Sequence, residues 1–426
     1  MSDSSGSQYP LPFSNDARIR EIADVTGTPL FVHDEASYRR TGREALEAPN
    51  AFGLTVRYAM KANSHRAILR IFDDMGIHID ASSYYEVLRA LAAGIAPEKI
   101  QLTSQEVQPP DRLREIVERG VLVNASSLEQ LRVHARVFPR GARPFGIRVN
   151  PGLGSGHNNR TNTGGPAASF GIWHERLGEA KEIAREAGLR ISRLHTHVGS
   201  GSDWRVWQRA AEMTLAIARH LPDVEVVNLG GGYKIDRMNP EKSIDLQSAF
   251  APVKKAFGDF ARETGRRLHL EIEPGTYLAA NSCILVARVV DAVDTGREGY
   301  HFLKIDASMT ELLRPMIYGA KHPIRLIGKE TPPFRPYAVV GLCCESGDVF
   351  TTREGNPEEI DTVDLPEAAR GDLVAVLGAG AYGIAMSSKG YNSRPMCAEV
   401  LIALDGSYRT IAEAQDPADL YARELD

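Results

Sequence analysis

The chain is poor in cysteine, with four in 426 residues, at positions 283, 343, 344 and 397. Two are adjacent and none has zinc-site spacing, which argues against both a disulfide framework and a metal centre. A surplus of positive charge is also missing. Lys plus Arg is 50 against 55 for Asp plus Glu, a net charge of −5 with pI near 6.2. No basic face for sequence-independent nucleic-acid binding is expected from that balance. No apolar run reaches about 18 residues, the length that reads as a membrane span. The opening MSDSSGSQYP carries neither the basic nor the apolar part of a signal peptide, and its Ser-rich first seven residues are expected to be disordered. Together these features suit a cytoplasmic enzyme that engages neither nucleic acid nor membrane.

What is present is ordinary for a globular chain, 43% apolar and 25% charged. The length suggests two domains. Pro29–His33 reads as a strand and Glu35–Ala48 as a helix. A recurring unit follows. Eight short β-branched runs span residues 54–60, 76–79, 100–102, 121–123, 144–149, 191–197, 224–229 and 268–272. Each ends in a polar or glycine-rich cluster and leads into a helical pattern. Eight strand–helix units without hairpin signals predict a closed (β/α)8 barrel, a TIM-like architecture, with a doubly wound open sheet as the competitor. In a barrel all eight strand ends face one mouth, where chemistry collects. After about residue 285 the texture changes to short strands at 283–290, 300–305, 337–342, 373–377 and 398–403, which predict an all-β domain that the strand at Pro29 could join. The expected division is an N-terminal segment 1–34, a barrel 35–284 and a C-terminal β-sandwich or barrel domain 285–426.

The strand ends hold the candidate chemistry. Lys61 in Tyr58-Ala-Met-Lys-Ala-Asn63 is either a lysine snorkelling to water or a Schiff-base lysine for a carbonyl cofactor. The triple glycine 230–232 can offer backbone N–H groups to a phosphate, or simply make a tight turn. Ser200 adds a hydroxyl. Glu273, before Pro274-Gly275, suits the acidic partner of a pyridinium nitrogen. His197 is flat and could lie against a ring, or be a satisfied barrel histidine; with His195 it also forms a same-face pair that zinc could use, without a third ligand nearby. Asp80 either orients a neighbouring amide or histidine, or caps the next helix.

Seven segments then occur in a specific order: YAMKAN, HTHVGSGSDW, NLGGGY, EIEPG, RPMIYGAKHPI, CCESGD, and GAYG with YNSRP. Together, from about Pro29 to the C-terminus, they resemble the fold-type III decarboxylases that use pyridoxal 5'-phosphate (PLP), the ornithine/diaminopimelate/arginine decarboxylase family with its alanine racemase-like barrel. The resemblance implies that Lys61 is the Schiff-base lysine, that His197 stacks on the ring, and that Glu273 pairs with the ring nitrogen. It implies that Asp80, Ser200, Gly231, Gly232, Gly275 and Tyr382 belong to the cofactor site. Cys344 resembles the proton donor, Glu345 the acid that recognises a distal ammonium, and Arg314 with Tyr318 the pair that grips a distal carboxylate, with Thr276 and Tyr382 also beside the substrate. A bidentate Arg–carboxylate contact is favourable for that grip. The Cys344–Asp348 segment would reach the site of a partner in a head-to-tail homodimer. The implied reaction converts meso-diaminopimelate to L-lysine and carbon dioxide.

This chain departs from the family pattern in three places. Thr276 stands where the family usually has arginine after Glu-Pro-Gly. The segment 158–172 is longer than usual, and its Arg160 either replaces that charge or lies on the surface. Ser308 stands where glycine is common. Thr276 keeps a related diamine acid, a D-amino acid, or a siderophore-like or carrier-linked intermediate open as substrates. A racemase of the alanine type would lack the CESGD segment. A degenerate regulatory homologue would be expected to lose Lys61 or Cys344, and both stand. Lys61→Ala should abolish turnover and the yellow colour of the purified protein; full activity in that variant would sink the reading of the site.

Overall fold

The computed structural model describes residues 13–141, 144–154, 163–238 and 242–425. The Ser-rich N-terminus and Arg160 lie outside the described residues. The chain divides into two compact units, one comprising Met1–Tyr38, Arg237–Glu241 and Ala279–Asp426, the other Arg39–Asp236 and Lys242–Leu278.

The second unit is a closed barrel of eight parallel strands: β1 (Leu54–Ala59), β2 (His78–Ala81), β3 (Ile100–Leu102), β4 (Leu122–Ala125), β5 (Phe145–Asn150), β6 (Ile191–His195), β7 (Val226–Asn228) and β8 (His269–Ile272). Each pairs with the next, and β8 pairs with β1 to close the ring. The eight runs in the sequence correspond to these strands, with β2 and β4 displaced toward the C-terminus. The open sheet is thereby excluded. Amphipathic helices cover the outside. In Arg66–Asp74, for example, Ile68, Leu69, Ile71 and Phe72 are buried at helical spacing. Two of the polar strand-end clusters are helix caps. Ser83 Oγ accepts from Glu86 N–H while Glu86 accepts from Ser82 N–H, and Ser127, Gln130 and Ser126 repeat the arrangement.

The barrel lumen is polar. Ladder registers put Asp80 beside Gln101, and Arg148 beside His195, Asn228 and Glu271, so these side chains share the inner face. Toward the strand starts, Arg57 clasps Glu271 through Nε at 3.0 Å and Nη2 at 2.9 Å, and Arg193 Nη2 donates to the same carboxylate. All three are buried. Burial pushes the Glu271 carboxyl up, but the two guanidinium groups outweigh it and hold it below the usual range. The apolar residues of the same strands, such as Val56, Ile79, Ile147 and Leu194, are buried too.

The other unit is built on a nine-stranded mixed sheet. Its central strand Leu30–Asp34 runs antiparallel to Cys283–Asp294 and parallel to Ala398–Ile402. Alternate residues serve two cores: Phe31, Leu285 and Val376 on one side, Leu30, Val32, Val286 and Val400 on the other. The second core is shared by helix Asp16–Thr26 through Ile19, Ile22 and Ala23. That helix was not anticipated from the sequence, nor were the strands Ile324–Leu326, Val363–Pro366 and Tyr408–Ala412.

Candidate active site

Glu273 follows β8 and is buried at the barrel mouth. Its carboxylate accepts from Gln101 Nε2 at 2.6 Å, Asn228 Nδ2 at 2.8 Å and His195 Nε2 at 2.9 Å. Burial pushes this carboxyl up, but the hydrogen bond donated by His195, and after it the charge of the Lys61 ammonium, pull it well below the ordinary value. Glu273 is therefore the ionised member of the site, and His195 carries its proton on Nε2. Burial keeps His195 neutral, leaving its Nδ1 without a partner among the described residues.

Asp80, at the end of β2, has the opposite fate. Burial, and after it the charge of Glu273, pushes its carboxyl well above the ordinary range; Lys61 and the hydrogen bond from Gln101 Nε2 at 3.2 Å only partly offset this. Asp80 thus engages an amide and does not cap the following helix, whose cap is Ser83. Lys61 lies in the turn Met60–Ala62 just beyond β1, exposed, and its ammonium acts electrostatically on Asp80, Glu86, Glu273, His195 and His197.

His197 lies past the end of β6. Its Nδ1 accepts from Gly231 N–H at 3.2 Å, so the ring proton sits on Nε2, and burial with Arg148 and Lys61 nearby keeps it neutral. Glycines let the strand-end loops interlock. A Cβ at Gly232, where φ is +91°, would lie 1.7 Å from Gly199 O and 3.0 Å from Ser200 Cα. At Gly231 it would lie 2.1 Å from Glu273 O, and at Gly275 3.2 Å from Ala59 Cβ. These contacts gather Lys61, His197, Ser200, Gly231, Gly232, Glu273 and Gly275, and Thr276 opens the short helix that follows.

The remaining candidates belong to the other unit. Arg314 Nη1 lies 2.7 Å from His322 Nε2, and His322 Nδ1 lies 2.8 Å from Leu377 O. A carbonyl only accepts, so Nδ1 carries the proton and Nε2 accepts from Arg314. Burial, then the charges of Arg314 and Arg237, hold this histidine neutral. Tyr318 Oη contacts Met386 Sδ at 3.8 Å. Tyr382 adopts a left-handed backbone, φ +56°. Cys344 and Glu345 are exposed on a loop held at several points. Asp348 accepts from the N–H groups of Met309 and Cys343, Asn392 Oδ1 accepts from Cys344 N–H at 2.6 Å, and Ser308 Oγ accepts from Leu342 N–H at 2.8 Å. Ser308, a small departure in sequence, is a buried support of that loop.

A family model described as pyridoxal-dependent decarboxylase, pyridoxal binding domain, matches residues 39–280. The diaminopimelate decarboxylase of Streptomyces coelicolor is 37% identical, covering 99% of this chain and 95% of its own. The chain belongs to the diaminopimelate decarboxylase family. The Escherichia coli diaminopimelate decarboxylase is 35% identical over 94% of each chain. The crystal structure of Helicobacter pylori diaminopimelate decarboxylase complexed with L-lysine matches with a TM-score of 0.85 at 27% identity, covering 95% of this chain and 98% of that one. Another diaminopimelate decarboxylase crystal structure gives 0.88 at 33%, covering 96% and 98%.

Sequence reasoning left out the lumen residues Gln101, Asn228, Arg148, Arg193, Arg57 and Glu271 of this decarboxylase. Their signal is a polar residue inside an apolar strand run, as in Phe145-Gly-Ile-Arg-Val149. Arg148 is 7% exposed, and its Nη2 has no partner among the described residues.

The unequal carboxylates make a prediction. The raised group, Asp80, costs stability as pH climbs from its ordinary value toward its raised one, whereas the lowered group, Glu273, contributes stability that is lost as pH falls. At pH 7, Asp80→Asn should raise the thermal midpoint and Glu273→Gln should lower it. The opposite order would mean that the charge has been assigned to the wrong carboxylate.

Proposed function

We propose that this chain decarboxylates meso-diaminopimelate to L-lysine and carbon dioxide, using pyridoxal 5'-phosphate held at the barrel mouth. The observation that carries this reading is the hydrogen-bond inventory of Glu273. A carboxylate has about four lone-pair positions. Gln101 and Asn228 take two on Oε1 and His195 one on Oε2, leaving one on Oε2 for a pyridinium N–H. The donor set therefore fits the cofactor. Lys61 would be its amine anchor and His197 would lie on the ring. Ser200, Gly231, Gly232, Gly275 and Tyr382 would hold the phosphate region, with Asp80 close by. When bound, PLP supplies an electron sink for the bond to the departing carboxylate, the more so when its nitrogen is protonated.

The other steps belong to the protein. Arg314, held by neutral His322, and Tyr318 would grip the distal carboxylate, and Glu345 the distal ammonium. Cys344 Sγ would deliver the proton to the α-carbon. Cys344 and Glu345 would act on the barrel of a second copy in a head-to-tail homodimer; their exposure supports this. We also take the enzyme to be cytoplasmic, a reading supported by four unpaired cysteines and by the lack of any described helix long and apolar enough to cross a membrane. Thr276 favours a second reading, in which a related diamine acid with a different carboxylate arrangement is the substrate.

Carbon dioxide release from meso-diaminopimelate, D-lysine, L-lysine and L-ornithine separates the two readings. Diaminopimelate should be preferred, and Arg314→Met and Glu345→Gln should each lower its kcat/KM about a hundredfold or more, since each strands a desolvated charge. Arg314→Met should matter little for a substrate without a distal carboxylate. If the wild type ignores diaminopimelate, the substrate assignment fails while the cofactor assignment survives.

Assembly has its own test. Mixing inactive Lys61→Ala with inactive Cys344→Ala subunits should restore part of the activity, because some hybrid sites carry neither lesion. No recovery after verified subunit exchange would mean that each site is built within one chain.

A further inference from the structure

The centre of the barrel lumen is bridged by one amide. Gln101 Oε1 accepts from Arg193 Nη2 at 3.1 Å, and Gln101 Nε2 donates to Glu273 Oε1 at 2.6 Å, with longer contacts to Asp80 Oδ1 at 3.2 Å and Thr103 Oγ1 at 3.3 Å. Arg193 can only donate, so the amide oxygen must face it. The amino group is then forced toward the two carboxylates, and the alternative amide rotamer would set Oε1 against Glu273 and an N–H against a guanidinium. Arg193 is itself fixed by Glu271, and Glu271 by Arg57. A chain of directional contacts thus runs from the buried ion cluster to Glu273: guanidinium, amide, carboxylate.

We propose that Gln101 is a positioning residue for the pyridine-binding carboxylate: oriented by Arg193, it holds Glu273 turned so that Oε2 keeps its open position for the cofactor nitrogen. This rests on the reading of Glu273 given above. The geometry explains why a neutral amide stands here. A lysine or arginine placed directly on Glu273 would claim the carboxylate as an ion pair and compete with a ring N–H for its remaining lone pair. An amide carries the orienting influence of Arg193 to the carboxylate without contributing a full charge of its own. The amide also stands between the two acids. It gives Glu273 the short hydrogen bond and Asp80 the long one, and so separates their roles.

The test uses the purified enzyme, stripped of cofactor and retitrated with PLP, followed by the visible absorption of the bound cofactor and by its dissociation constant. Gln101→Met should shift the visible band and weaken PLP binding about tenfold or more, the loss expected for one charge-assisted hydrogen bond. Arg193→Met keeps the amide but removes what orients it. It should change both readouts in the same direction and by less, and it carries the test if Gln101→Met does not fold. Because Gln101 acts through Glu273, the Gln101→Met/Glu273→Gln double variant should bind PLP no more weakly than Glu273→Gln alone. Losses that multiply would mean that Gln101 merely fills the lumen, and that would overturn the proposal. So would a Gln101→Met enzyme with the wild-type band and affinity beside an impaired Glu273→Gln. A Glu273→Gln enzyme with unchanged band and affinity would instead overturn the underlying reading of Glu273.

Discussion

An ionised carboxylate inside a barrel, hydrogen-bonded by two amides and an imidazole, is the constraint around which the site is arranged. An isolated buried charge is expensive, and a group in that position ordinarily takes up a proton. Glu273 avoids this because three donors on three different strands converge on it, from β3, β6 and β7. That convergence needs the closed ring. Each strand must have its register correct for one inward residue to meet the others, so the ladder Arg148, His195, Asn228, Glu271 follows from the same requirement.

The lumen has a division of labour along the barrel axis. Toward the strand starts, Arg57, Glu271 and Arg193 form a directly paired, buried ion cluster with two guanidinium groups on one carboxylate. Toward the strand ends, neutral amides and an imidazole take over as hydrogen-bond donors to the carboxylate. The change from ion pairs to amides and imidazole occurs over a single pleat, and it leaves one carboxyl held below its ordinary range and its neighbour Asp80 pushed above it. Two acids of similar chemistry thereby acquire different properties through their surroundings.

Much of this fold was legible in the sequence because the barrel's outer face obeys a simple rule. Val56, Ile79, Ile147 and Leu194 must meet helices, and they alternate or cluster accordingly. The strand-end residues Lys61, Glu273 and the glycine cluster were legible because they interrupt that rule at element boundaries. Gln101 was not legible. It occupies the middle of a three-residue strand, and nothing in Ile-Gln-Leu says that its partners lie on β6 and beyond β8. Helix Asp16–Thr26 escaped notice for a different reason: it is short, and its apolar face of Ile19, Ile22 and Ala23 is narrow. Ser308 read as a minor change because its contacts, with the Leu342 N–H and with Cys343 and Asp348, lie 34 or more residues away along the chain.

The interlocked glycines bear on how such a site can change over time. At Gly231 and Gly232 the space a side chain would need is filled by the backbone of another strand's loop. Each loop therefore serves as the mould for its neighbour. A substitution that enlarges one of them displaces the histidine, serine or glutamate carried by the next, even though it touches none of these side chains. Variation in this ring is collective: drift in any one loop must wait for a matching retreat in the loop beside it.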